Sequence, residues 1–284
     1  MLPAPAEVRD RRALPGQEGE DMTGDDFRTI RFSREGRTAR VELNRPDKMN
    51  AITPDMHEEL QRAFDLYAAD PDLFVCVVTG AGDKAFCAGS DLSAKSRDEY
   101  RPYPPSGYAG LVERFDCPKP FIAAVNGFAL GGGFELALAC DLIIAVDTAS
   151  FGLPEPLVGA VALGGGVHRL ARQIGLKQAM GMILTSRRVS AGEGLALGFV
   201  NEVVPAADLD AAVARWCEQI LKGAPPAIRA SKEAVMRGLN EPSLAAAIKA
   251  QDAYPAFAAW RTSEDAREGP SAFSEKRPPV WKGR

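Results

Sequence analysis

The sequence predicts an α/β protein in which short strands alternate with helices and then give way to a helical C-terminal extension. Two observations carry this. Short apolar runs at 73–80, 121–125 and 141–147 are bounded by glycine- or Asn-Gly-containing loops, the pattern of buried strands linked by turns. Beyond Pro205 the strand signal stops, and helical periodicity runs on with breaks at Pro225-Pro226 and Glu241-Pro242.

The elements follow in order. Residues 1–26 are rich in Pro, Gly and charge and lack an apolar core, so they read as a disordered tail and not a signal peptide, with Met22 available as a downstream start. Regular structure begins near Phe27. Ala39, Val41 and Leu43 alternate with polar residues, a half-buried strand that Asn44-Arg45-Pro46 ends. Thr53-Pro54 reads as an N-cap with proline in the first turn, and Met56, Leu60, Ala63, Phe64 and Tyr67 line one helical face. The buried strand at 73–80 leads into the loop Lys84 to Leu92 and then a Pro- and Tyr-rich loop. The strand at 121–125 passes through Asn126-Gly127 to Gly131-Gly132-Gly133 and a short helix ending near Cys140. After the short buried strand DLIIAVD at 141–147, Gly164-Gly165-Gly166 opens a helix carrying Val167, Leu170 and Ala171. Ser190 to Glu193 spells a capping box, and Gly198 is a helix stop. The expected organisation is a tail at 1–26, an α/β core at 27–205 and a helical region at 206–284.

Composition narrows the function. The net charge of −4 and pI near 5.4 disfavour nucleic acid as the main partner, because phosphate binding requires a basic surface. No apolar stretch is long enough to span a bilayer. Cys76, Cys87, Cys117, Cys140 and Cys217 are odd in number and lack metal or disulfide spacing, which fits a reducing, cytoplasmic setting. With His57 and His168 as the only histidines, no multi-histidine metal site is available.

The chemistry concentrates in two glycine-bearing loops and two carboxylates. Residues 86–92 and 129–135 each follow an apolar strand, and each can present backbone N–H groups to a ligand. Two N–H groups converging from separate loops make an oxyanion hole for a carbonyl gaining negative charge. An isolated triple glycine more often just permits a turn. Glu135 sits in the first turn of an otherwise apolar helix, where a carboxylate is favoured by the helix dipole but is costly to bury. Glu155 follows Phe151-Gly152-Leu153-Pro154; taken alone, it is equally readable as an exposed loop charge. His168 reads as a residue on a helix surface, since two carboxylates already supply acid–base capacity.

Together these segments resemble the crotonase (enoyl-CoA hydratase/isomerase) family. Residues 124–141, AVNGFALGGGFELALACD, match that family's most distinctive segment nearly throughout, and FCAGSDL matches its other oxyanion loop. Glu135 and Glu155 stand twenty positions apart, as the two glutamates of the family's hydratases do. Asn44-Arg45-Pro46 with Asn50-Ala51, the segment 185–198, and SEDAREGPSAFSEKRP also match, so the resemblance runs from about residue 27 to 284.

The resemblance implies a spiral of ββα turns forming two roughly perpendicular sheets, assembled as a homotrimer or homohexamer through the C-terminal helices. It implies that the N–H groups of Ser90 and Gly132 bind a thioester oxygen, with serine standing where alanine is common. Glu135 would hold and deprotonate water, and Glu155 would be the proton donor. Ala51 and Ala88 would lie near the adenine of coenzyme A, and Phe273 and Lys276 would reach the coenzyme A of a neighbouring subunit. Asp47 departs from the basic residue common in similar hydratases, with Lys48 the adjacent cation.

The implied activity is hydration of a trans-2-enoyl-CoA, with coenzyme A as part of the substrate and no metal or separate cofactor. YAGLVERF, FGLPEP and EKRPPVWKGR also resemble carnitinyl-CoA dehydratase, whose cationic acyl group calls for an aromatic or acidic pocket. Enoyl-CoA isomerisation, and a non-catalytic coenzyme A- or RNA-binding role, are the remaining alternatives. Tyr100, Tyr103 and Tyr108 fall in the loop that borders the acyl pocket in this family.

Overall fold

The computed structural model describes residues 27–95 and 101–284; the expected N-terminal tail and Tyr100 lie outside the described residues. Two sheets organise the chain. The larger has the order β1 (Ile30–Glu35), β2 (Thr38–Leu43), β3 (Val75–Gly80), β5 (Phe121–Val125), β7 (Leu142–Val146), β10 (Glu202–Val204). The smaller has the order β4 (Ala85–Cys87), β6 (Phe128–Leu130), β8 (Ser150–Gly152), β9 (Val189–Ser190). The β1–β2 and β8–β9 pairs are antiparallel, and the other pairings are parallel.

The two orders interlock. Strands β3, β5 and β7 are neighbours in the large sheet, and each feeds the next strand in sequence, β4, β6 or β8, which are neighbours in the small sheet. Each circuit of the chain therefore adds one strand to both sheets, so each turn contacts the turns before and after it, as in a short solenoid. The sequence shows no residue-level repeat because this repetition lies in the path of the backbone.

The helices are α1 (Pro54–Ala69), α2 (Leu92–Lys95), α3 (Gly132–Ala139), α4 (Gly166–Gln173), α5 (Leu176–Thr185) and α6 (Ala191–Leu197), then α7 (Leu209–Leu221), α8 (Pro225–Gly238), α9 (Leu244–Ala250), α10 (Pro255–Thr262) and α11 (Glu264–Ser274). The predicted cap of α1 is present: the Thr53 side chain accepts from the Met56 N–H at 3.2 Å, and Met56, Leu60, Ala63, Phe64 and Tyr67 are all buried. Ser190 likewise caps α6 through the Glu193 N–H, but the Glu193 carboxylate pairs with Arg187 at 2.6 Å. Pro225 and Pro226 occupy the first turn of α8, where a missing N–H costs no helical bond.

Several elements are invisible to periodicity. The strands of the small sheet are two or three residues long and are too short to display an alternation. Strand β1 buries only Ile30 fully, with Phe32 half-buried and the rest polar, so it is defined mainly by its register with β2, from Ile30 opposite Leu43 to Glu35 opposite Thr38. The core lies between the sheets and under α1, α3 and α7. Phe134, Phe151 and Phe199 meet there with centroids 5.2–5.4 Å apart, fixing α3 against the small sheet.

Candidate active site

The parallel order β4-β6-β8 opens three strand ends to one edge, the place where parallel sheets commonly present ligand sites. Ala88-Gly89-Ser90 leaves β4, Gly131-Gly132 leaves β6, and Leu153-Pro154-Glu155 leaves β8. The Gly131 N–H donates to Gly152 O at 2.9 Å, binding the second end to the third. The first and second are closer still. A Cβ on Gly89 would lie 3.1 Å from Gly132 N, and one on Gly133 would lie 2.1 Å from Cys87 O. A side chain at Gly133 would therefore push α3 off the first loop. The structure thus brings together the backbones of Ser90 and Gly132, the two predicted donor positions.

Glu135 lies one turn into α3 and is 3% exposed. Its carboxylate rests in the second triple glycine: the Gly166 N–H donates to Oε1 at 2.8 Å, and a Cβ on Gly164 would lie 2.6 Å from Oε2. Its pKa is raised to about 7, chiefly by burial and also by the nearby charge of Glu155, against the lowering effects of the Gly166 and Gly164 N–H groups and of Arg169. Glu155 opens a short 3-10 turn, and its Oε1 lies 3.0 Å from the position a Gly131 Cβ would take. The two glutamates accordingly flank one volume next to Gly131-Gly132.

The far wall of that volume is aromatic. The Tyr108 hydroxyl is 3.2 Å from Ser90 Oγ, and its oxygen lies 2.1 Å from where a Cβ on Gly132 would stand. Its ring packs edge-on to His57 at 4.6 Å and to Tyr103 at 5.4 Å. The Ala109 N–H donates to His57 Nδ1 at 2.9 Å, which leaves the proton of neutral His57 on Nε2.

The predicted adenine-end positions also converge. The Ala88 N–H donates to Met49 O at 3.0 Å, and the Ile52 N–H donates to Gly89 O at 2.8 Å, so the segments holding Ala51 and Ala88 run side by side. Arg45 locks them by donating to Ala51 O at 2.6 Å and pairing with Asp91 at 3.0 Å. Asp91 is held below the usual carboxylate range, chiefly by the Ser93 hydroxyl. Asp47 and Lys48 are both exposed on the turn before Ala51. Phe273 and Lys276 are not part of this cluster. They lie at the end of α11, which packs on α8 and α10, and Phe273 is 88% exposed. His168 is exposed on α4.

Sequence reasoning assigned the second triple glycine only to helix initiation; its backbone in fact holds Glu135. Arg169 was also missed. Its guanidinium is anchored on Val112 O at 2.6 Å and helps keep Glu135 from rising further. Among the described residues no His, Cys, Asp or Glu cluster fit to hold a metal ion occurs, and no helix is long and apolar enough to cross a membrane.

Comparison with known proteins shows the family. The enoyl-CoA hydratase/isomerase family pattern matches residues 33–284. Carnitinyl-CoA dehydratase of Citrobacter koseri is 43% identical over 260 residues, covering 90% of this chain and 99% of that protein. The Proteus mirabilis protein of the same name is 42% identical over 263 residues, with the same coverage. Among solved structures, enoyl-CoA hydratase from Mycobacterium marinum superposes with a TM-score of 0.84 at 40% identity, covering 90% of this chain and 99% of that one. Enoyl-CoA hydratase from Mycobacterium tuberculosis also reaches 0.84, at 35% identity and the same coverage.

Proposed function

The chain belongs to the enoyl-CoA hydratase/isomerase family and has its crotonase fold, and from that premise we propose that it is a hydro-lyase adding water across the Cα=Cβ bond of a trans-2-enoyl-CoA. The observation that carries this is the pair Glu135 and Glu155, electrostatically coupled beside the backbone donors of Ser90 and Gly132.

The chemistry follows from charge. Attack of water on Cβ moves an electron pair through the conjugated system onto the thioester oxygen, which the N–H groups of Ser90 and Gly132 stabilise as it becomes an oxyanion. Glu135 accepts a proton from the attacking water and Glu155 delivers one to Cα as the enolate collapses, the two carboxyl groups holding one proton between them before and after the step. The pair ends with its proton exchanged and the substrate gains one water. A base with a pKa of about 7 is matched to this task at neutral pH. Coenzyme A enters as part of the substrate, with its adenine end beside Ala51 and Ala88. Phe273 and Lys276 are assigned to the coenzyme A of a neighbouring subunit in a homotrimer or homohexamer, a role to which the exposure of Phe273 is suited.

A second reading concerns the substrate. The named relatives above are carnitinyl-CoA dehydratases, and the rings of His57, Tyr103 and Tyr108 form an aromatic group beside Ser90. Aromatic faces attract a trimethylammonium group at distances of about 6 Å or less. The deciding experiment follows loss of enoyl-thioester absorbance with crotonyl-CoA and with crotonobetainyl-CoA, for wild type, Glu135→Gln and Glu155→Gln. Turnover of either substrate that both variants abolish supports the hydro-lyase, and the ratio of kcat/KM selects the substrate. Folded wild-type protein that turns over neither substrate sinks the proposal.

A further inference from the structure

Tyr108 is held more firmly than a variable-loop residue needs to be. It begins a 3-10 turn, Tyr108–Gly110, in which Ala109 and Gly110 have positive φ at 53° and 62°, as does the preceding Gly107 at 76°. A non-glycine residue at positive φ is costly and persists where its surroundings over-determine it. Here they do. The Ala109 N–H is satisfied by His57, the Ser106 N–H donates to Gln61 Oε1 at 3.0 Å, and Arg114 donates to Gly110 O at 3.1 Å while pairing with Asp65 at 2.7 Å. At Gly110 the turn lies so close to α1 that a Cβ would be 2.5 Å from Gln61 N.

All of this restraint aims one side chain. The Tyr108 ring is 2% exposed, and its hydroxyl arrives between Ser90 and Gly132, the residues whose N–H groups form the oxyanion site. In the 3.2 Å bond between the Tyr108 hydroxyl and Ser90 Oγ, either oxygen can be the donor. A hydroxyl at this point can turn its proton toward an oxygen placed between the two loops.

We propose that Tyr108 is a third donor of the oxyanion site, its hydroxyl turning from Ser90 Oγ to the thioester oxygen as negative charge develops there. This deepens the hydro-lyase reading and rests on it. Nothing is consumed in the step: the phenol stays protonated and the hydrogen bond changes acceptor. Burial, which raises the Tyr108 pKa well above the ordinary value, keeps the proton on the oxygen.

The test uses Tyr108→Phe, which keeps the ring packed on His57 and Tyr103 and removes only the hydroxyl, with two readouts. The first is kcat and KM on whichever enoyl-CoA the wild type turns over: kcat falls on the order of 100-fold, as for loss of one oxyanion donor, with KM little changed. The second is the red shift of an aryl-acryloyl-CoA chromophore on binding, which reports carbonyl polarisation without turnover and shrinks in the variant. An unchanged red shift with kcat within about threefold of wild type overturns the proposal. A wild type without hydratase activity would fail the functional reading alone, because the chromophore shift still reports on Tyr108.

Discussion

The Gly166 N–H donates a 2.8 Å hydrogen bond to Glu135 Oε1 across 31 residues of sequence. This bond joins the two triple glycines. The first starts the helix that carries the carboxylate; the second is the bed in which that carboxylate lies. Because burial outweighs this bond and its neighbours, Glu135 titrates near neutrality and is suited to exchange protons with water.

A pH profile assigns the roles. If Glu135 is the base, hydration needs it ionised, so kcat/KM rises with pH through an apparent pKa of about 7. Initial rates from pH 5 to 9 measure this. A limb that falls through the same value would make Glu135 the proton donor and reverse the assignment with Glu155.

The coupling between the two glutamates is separately measurable. Glu155 raises the Glu135 pKa, so Glu155→Gln lowers it. Infrared difference spectra of the carboxyl band, with Glu135→Gln to identify the signal, give the titration directly. A midpoint that stays in place would show that the two groups do not share a field.

Function here costs stability, and the sign can be worked out. The folded pKa of about 7 lies above the ordinary 4.5, so between those values the native state binds the proton more tightly and stability falls as pH rises. Below 4.5 both states are protonated and the effect vanishes; above 7 it is complete, at on the order of 3 kcal/mol. Glu135→Gln keeps an acceptor for Gly166 and removes the charge. Denaturant melts at pH 8 show the variant more stable than wild type, with the gap closing at pH 4.5.

Gly166→Ala tests the bed. A Cβ there would lie 2.8 Å from Glu135 Cγ and 2.9 Å from its Oε1, so the carboxylate must shift. A displacement of about 1 Å costs on the order of 100-fold in rate. Stopped-flow assays show kcat falling by this amount while far-UV circular dichroism is unchanged.

Asn50 supports the segment carrying Ala51, the proposed adenine end. Its buried amide donates to Ala81 O at 3.0 Å and Ala85 O at 2.8 Å, and its Oδ1 accepts from the Arg45 N–H at 3.0 Å. Asn50→Ala strands those backbone groups, costs about 2–3 kcal/mol of stability, and loosens the segment carrying Ala51. Chemical denaturation measures the first effect and calorimetric titration with coenzyme A the second, expected as weaker binding.

Much of this was legible in the residues. Leu60, Phe64 and Tyr67 recur at helical spacing, Thr53 marks the start of their helix, and residues 75–80 and 142–146 are apolar enough to be buried strands. Glu135 was conspicuous as a charge in an apolar helix, and the resemblance to the crotonase family paired it with Glu155. The small sheet was not legible, because strands of two or three residues carry no period. Nor was the contact of the Tyr108 hydroxyl with Ser90, since a turn with positive φ at Ala109 aims it from a segment without regular structure.

Local chemistry therefore determined which residues are buried, where helices begin and which groups are able to react, because propensity, capping and polarity act over a few neighbouring residues. Only the tertiary structure decided that Ser90, Gly132, Glu155 and Gly166 meet around one volume. That meeting depends on the parallel order of β4, β6 and β8, and on a hydrogen bond spanning 31 residues. Such pairings are set by the closure and packing of the whole chain.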